Sequence, residues 1–214
     1  MRVLLSGFHP QWGWTRSPSH DLAKIWQDKL VSVEGVEVKS IILPQIFDQD
    51  GSIICNEIGS FKPNVILMVG VTPKNDPLRL EKFAVNAIDT PMGDNSRIAV
   101  KNRTIVLNGP PAYESTLPID FLANHLNEAQ IHTVVSFHAG TQACNHVMYQ
   151  ALHWLANNEM PHHVMAGFVH TSIPNSYGIV SDHHYPTATF EEIVKTSVIL
   201  VKQCTNFYRE NYGS

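Results

Sequence analysis

Five consecutive apolar residues, Val65-Ile66-Leu67-Met68-Val69, stand between Pro63 and Gly70. The run is short, β-branched and bounded by turn formers, the pattern of a strand buried on both faces. Such a strand needs a layer of helices on each side, and the chain supplies them in alternation. Val3-Leu4-Leu5-Ser6 reads as a second buried strand, and residues 36–43 as a third that ends at Pro44. Residues 104–107, 133–136 and 163–170 complete the expected strands. Helical patterns cover residues 19–30, 80–88, 118–130, 141–157 and 189–209. Ser19 after Pro18 suits an N-cap, and Thr189 with Glu192 three residues on fits a capping box. The alternation predicts an α/β fold with a largely parallel sheet covered by helices on both faces. In such folds a site forms on the loops beyond the carboxyl ends of the strands.

Composition narrows the function. Hydrophobic residues make up 43% of the 214, enough for a sizeable core. No repeat, linker or low-complexity segment divides the chain, so residues 1–214 read as one domain. The formal net charge is -4 and no run of Lys or Arg occurs, which argues against a nucleic-acid partner. No apolar run reaches the length of a membrane span. Three cysteines without a C-x-x-C pair form neither a disulfide framework nor a zinc knuckle. Val3-Leu4-Leu5 is too brief for the apolar stretch of a signal peptide, so the expectation is a reduced, soluble, cytoplasmic protein.

Chemistry-bearing residues are sought past strand ends. Cys144 lies in Ala139-Gly140-Thr141-Gln142-Ala143-Cys144-Asn145, where a strand gives way to a helix. A thiol at a helix start meets the positive end of the dipole and unpaired N–H groups, which favour a thiolate and can hold an oxyanion. The bland alternative is a small buried apolar residue, the commoner fate of a cysteine and the one that suits Cys55, in a loop-rich region, and Cys204, inside the last helix. A thiolate hydrolase needs a base. His170 closes a strand and points where the site should be; His138, just before the Cys144 turn, is a second choice. Glu81 could orient the base, although an ordinary charge on a first helical turn explains it as well, and Asp94 and Asp182 are rivals. Twelve histidines raise the question of metal. His146 and His153 share a helix face as packing residues do, and the His162-His163 and His183-His184 neighbours point apart along the chain. No H-E-x-x-H motif occurs, so a metal site is the weaker reading.

Taken together, these segments resemble the pyroglutamyl peptidase I (pyrrolidone-carboxylate peptidase) family. The resemblance is carried by Leu5-Ser6-Gly7-Phe8-His9-Pro10, Leu80-Glu81-Lys82-Phe83-Ala84-Val85-Asn86 and Asn108-Gly109-Pro110-Pro111-Ala112-Tyr113-Glu114-Ser115-Thr116-Leu117-Pro118. It continues in Ala139-Gly140-Thr141 with Cys144-Asn145-His146 and Tyr149, and in Gly167-Phe168-Val169-His170, in order over nearly the whole chain. It implies a three-layer α/β/α sandwich with a mixed, mostly parallel sheet, no cofactor, a dimeric or tetrameric homo-oligomer, and removal of an N-terminal pyroglutamyl residue from small peptides or related amides. It implies Cys144 as nucleophile, His170 as base and Glu81 as orienting carboxylate.

The pocket departs from the family pattern. Phe8 keeps one of two family phenylalanines, whereas Gln11 stands for the other, with Trp12 and Trp14 nearby as replacements. The family's Gly-x-Ala-Gly-Gly-Arg loop, which helps hold the pyroglutamyl group, is Gly70-Val71-Thr72-Pro73-Lys74-Asn75 here. The resemblance therefore places Phe8, Gln11, Trp12, Val71, Thr72 and Lys74 at the substrate. The family arginine beside the oxyanion becomes Pro91, and losing one oxyanion donor costs about 10²–10³ in kcat in a well-studied case. Three outcomes are compatible with these residues: a pyroglutamyl peptidase, a hydrolase with a rebuilt pocket, or a weak or inactive relative that serves as a binding or scaffold protein.

Overall fold

The structure, a computed structural model, describes residues 1–72, 78–178 and 188–213. In chain order the elements begin with β1 (Arg2–Phe8), α1 (Pro18–Gln27), β2 (Glu37–Leu43), α2 (Phe47–Phe61) and β3 (Val65–Val71). Short strands follow: β4 (Leu78–Glu81), β5 (Phe83–Val85), β6 (Ile88–Thr90), β7 (Val100–Arg103) and β8 (Ala112–Glu114). The chain continues through α3 (Ile119–Glu128), β9 (Thr133–Ser136), α4 (Ala143–Asn157), β10 (Met165–Thr171) and α5 (Phe190–Tyr212).

Six strands form the central sheet in the order β2-β1-β3-β10-β4-β9. β2, β1, β3 and β10 run parallel. β4 enters antiparallel to β10, and β9 lies parallel to β4. The sheet is thus mixed and mostly parallel.

The pleat sorts alternate residues onto two faces. Val3, Leu5, Val65, Leu67, Val69 and Val169 join one core with residues of α1, α3 and α5. Leu4, Phe8, Ile66, Met68 and Phe168 join the other with residues of α2 and α4. The three-layer α/β/α sandwich follows from this two-sided burial. Among the described residues no helix is long and apolar enough to cross a membrane.

Four local expectations are corrected. Residues 80–88 are not helical: they run through β4, β5 and β6, because Leu80 and Ala84 are drawn into opposite cores while their backbones pair with separate strands. Residues 104–107 form a bend and turn; the backbone of Val106 bonds in both directions to the Asn86 side-chain amide, at 2.9 Å each, rather than to a strand. Cys55 sits inside α2, whose Ile54 and Ile58 are fully buried against the sheet despite the helix's Asp50 and Gly51. Ser17, not Ser19, is the N-cap of α1, with Pro18 at the favoured first position. Ser19 instead accepts a hydrogen bond from the Phe8 N–H, at 3.3 Å, and so ties α1 to the end of β1. The capping box at Thr189 and Glu192 forms as expected.

Candidate active site

β10 carries His170 one residue before its carboxyl end, on the same face as Phe168 and therefore toward α4. On the antiparallel neighbour β4, Phe168 lies opposite Glu81 and His170 opposite Arg79. Glu81 and Arg79 share that face, and diagonal neighbours across a strand pair are within reach of long side chains. The result is a hydrogen bond of 2.8 Å between His170 Nδ1 and Glu81 Oε1, across 89 residues of sequence. Glu81 is 1% exposed and His170 7%, so the bond is sheltered from water.

Cys144 is the second residue of α4, after the N-cap Gln142. Gly140, with φ of +80°, makes the turn from β9 into the helix, a backbone conformation open to glycine. Asn145, fully buried, pins the start of the helix. Its Oδ1 accepts from Val85 N–H at 2.8 Å, and its Nδ2 donates to the carbonyls of Val85 and Ala87 at 2.9 and 3.0 Å. The thiol of Cys144 faces the His170 ring closely enough to interact with it electrostatically.

Burial pushes the His170 imidazolium down, but the facing Cys144 sulfur and the Glu81 carboxylate outweigh it and raise the ring to about 9. The cysteine in the core of α5 behaves in the opposite sense to a reactive thiol: burial alone pushes Cys204 up to about 12. Cys55 is likewise raised, to about 11. The bland reading thus fits both.

The sequence-derived residues separate clearly. Cys144, His170 and Glu81 are brought together. Phe8 ends β1 with its ring in the core, 6.2 Å from that of Phe168. Val71 ends β3, and the Thr72 N–H continues the ladder to the Thr171 carbonyl at 3.1 Å. These positions lie at the same carboxyl edge of the sheet as His170. Gln11 is half-buried in the loop after β1, where its carbonyl accepts from the Trp14 N–H. Trp12 is 41% exposed and hydrogen-bonds to Asn95 and Met92. Lys74 and Asp182 lie outside the described residues, as do His183 and His184.

Other candidates have structural roles. His138 is exposed and accepts the Gly140 N–H. Asp94 accepts from Phe47 N–H and from Ser96, which anchors a loop to α2. His146 packs edge-on against Phe47, and burial lowers it to about 4, so it stays neutral. Among the described residues no three His, Cys, Asp or Glu side chains are grouped for a metal ion. Two neighbours were not read as site residues from the sequence, Gly70 and Arg79. Tertiary placement beside His170 distinguishes them from ordinary strand residues.

Comparison with known proteins shows the family and the fold. The pyroglutamyl peptidase family model matches residues 1–205. A pyrrolidone-carboxylate peptidase of Pyrococcus furiosus is 34% identical over 170 residues, 79% of this chain and 80% of the relative. One from Halalkalibacterium halodurans is 30% identical over 202 residues, 94% of this chain and 98% of the relative. A mutant pyrrolidone carboxyl peptidase structure from Pyrococcus furiosus superposes with a TM-score of 0.88 at 28% identity, covering 96% of this chain and 99% of the other. The chain belongs to the pyroglutamyl peptidase family.

Proposed function

We propose that this protein is a cysteine peptidase that removes an N-terminal pyroglutamyl group through a thioester intermediate. The observation that carries the reading is the 2.8 Å Glu81–His170 bond, with Cys144 facing the same ring. A nucleophile within reach of a base, and a base held by a third group, is the arrangement thiol hydrolysis requires. Family membership supports the substrate class.

In this mechanism Cys144 Sγ attacks the carbonyl carbon of the pyroglutamyl amide. His170 gives its proton to the departing amine as the C–N bond breaks. Water then attacks the thioester, with His170 taking its proton, and 5-oxoproline leaves as the thiolate re-forms. The N–H groups at the start of α4 would stabilise the oxyanion of each tetrahedral intermediate. Val71 and Thr72 would line the lactam, with Phe8 beneath it, Gln11 and Trp12 at the rim and Lys74 on the adjoining loop. No observation favours the non-catalytic alternative.

The test is a panel of acyl aminocoumarin amides with the parent chain and Cys144→Ala. Cleavage of the pyroglutamyl member and its complete loss in the variant are expected; unchanged hydrolysis by the variant would sink the assignment. A cytoplasmic location belongs to the same proposal, supported by three free thiols. A dimer or tetramer does too, supported by the exposed Leu107 and Phe137 side chains and tested by light scattering on the purified chain.

A further inference from the structure

Arg79 stands directly opposite His170 in the β4–β10 register and on the same face as Glu81. Its side chain runs along the sheet toward β9. There Nη2 donates to Ser136 Oγ at 2.7 Å, and Nε forms an ion pair with Glu81 Oε1 at 3.4 Å. Ser136 is itself opposite Glu81 in the parallel β4–β9 pair. The guanidinium is therefore held by both Ser136 and Glu81 and is 23% exposed as a side chain, whereas the carboxylate it faces is fully enclosed. Glu81 Oε1 receives both Arg79 and His170, and among the described residues Oε2 has no hydrogen-bond partner.

The charges alternate along this row. With the site poised for reaction, Cys144 is negative, His170 positive, Glu81 negative and Arg79 positive. Three of them without the fourth would leave a net negative charge in an enclosed site. Removing one partner of a buried ionic group leaves the other charge uncompensated, at a high cost. Among the described residues the neighbouring candidates are engaged elsewhere: His138 beyond β9 is exposed and turned to Gly140, and Lys82 pairs with Glu114.

Resting on the Cys144–His170–Glu81 reading, we infer that Arg79 is a positioning residue that holds the Glu81 carboxylate aimed at His170 and offsets its charge at the Cys144–His170 pair. Arg79 acts through Glu81 and does not touch substrate. Its removal has a definite sign. Without the cation the imidazolium is held more tightly, so the descending limb of the kcat/KM profile moves to higher pH. The thiolate loses a nearby cation, so the ascending limb moves the same way.

The experiment is the pH profile of pyroglutamyl aminocoumarin hydrolysis by the parent, Arg79→Gln, Arg79→Lys and Cys144→Ala. Gln keeps a donor for Ser136 and deletes the charge. Both limbs are expected to rise, by about one pH unit. Lys should restore the limbs to the parent positions. Unmoved limbs in Arg79→Gln, even with reduced kcat, would make Arg79 a packing residue and overturn the inference. If Arg79→Gln does not fold, Ser136→Ala carries the test, since it releases the guanidinium and keeps every charge; limbs that move upward support the inference and unmoved limbs refute it. Turnover by Cys144→Ala would instead defeat the reading of the site on which the inference rests.

Discussion

Gly70 lies against the sulfur of Cys144: a Cβ added at Gly70 would stand 2.9 Å from Sγ and 2.8 Å from the Phe168 ring. Gly70 is also opposite His170 in the parallel β3–β10 register. The missing side chain makes the space in which sulfur and imidazole meet. Gly70→Ala must displace the thiol, because Phe168 is packed in the core and has nowhere to go. A misplacement on the order of 1 Å costs about 10²-fold in rate. The expected outcome is a kcat/KM loss of about that size. Circular dichroism should remain that of the parent, and parent-like kinetics would show that the contact is unimportant.

The raised His170 gives a pH dependence with a definite sign. Its folded-state value of about 9 exceeds the ordinary 6.5, through Cys144 and Glu81 overcoming burial. The imidazolium form, and the stability it brings, is fully present below the unfolded value and fades as pH rises through about 9. Glu81→Gln removes one of the groups holding the proton. The variant should lose activity, and its descending limb should move to lower pH. Its deficit in thermal stability should be larger at pH 6 than at pH 9.5, read by calorimetry across that range. A deficit that grows with pH would contradict the coupling.

Asn145 joins the nucleophile's helix to β5 by three hydrogen bonds. Asn145→Ala orphans the Val85 N–H and the Ala87 carbonyl, each worth about 1–3 kcal/mol when buried and unpaired, while the Val85 carbonyl keeps the Ala87 N–H. We expect a destabilisation of about 3 kcal/mol or more, measured by urea unfolding. Activity should fall with it, since Cys144 is the adjacent residue. Asn145→Asp should be no better at neutral pH, because the carboxylate faces the same two carbonyls.

Asp50 is a buried acid outside the proposed machinery. Burial raises it to about 7, against the pull of backbone N–H groups of Gln45 and Ile46, with Asp94 adding to the rise. The folded chain therefore holds a proton that the unfolded chain releases between its ordinary value of 3.8 and about 7. Stability from this group falls as pH rises through that window. Asp50→Asn keeps an acceptor for the Gln45 N–H and carries no charge. Its melting temperature should exceed the parent's at pH 8 and match it near pH 4. The opposing effect of neutral His146, which weakens the fold as pH drops toward about 4, is common to both proteins and cancels. An advantage at pH 4 instead of pH 8 would reverse the sign and refute the account.

Several strands of the central sheet were readable because continuous β-branched runs between turn formers have few other uses. Val65 to Val69 and residues 133–136 fall within the observed strands. The capping box at Thr189 is equally local, since its donors and acceptors are three residues apart. Around Glu81 the same reasoning failed. Strands of three or four residues do not establish a period, and their backbone partners are Phe168, Ser136 and Glu114, far along the chain.

By itself, then, the sequence determined the alternation of elements, the two-sided core and the placement of Cys144 at the start of a helix and His170 at the end of a strand. The cysteine and histidine segments carried the family resemblance, because those signals are short-range patterns of residue type. Only the tertiary structure decided that β4 enters antiparallel between β10 and β9. That one crossing puts Glu81 diagonal to His170, Arg79 opposite it and Ser136 behind both. Gly70 acquires its meaning in the same way, from the sulfur that packs against it. Strand register is a non-local property, fixed when hydrogen bonds and two hydrophobic faces are satisfied together. No window along the chain contains it.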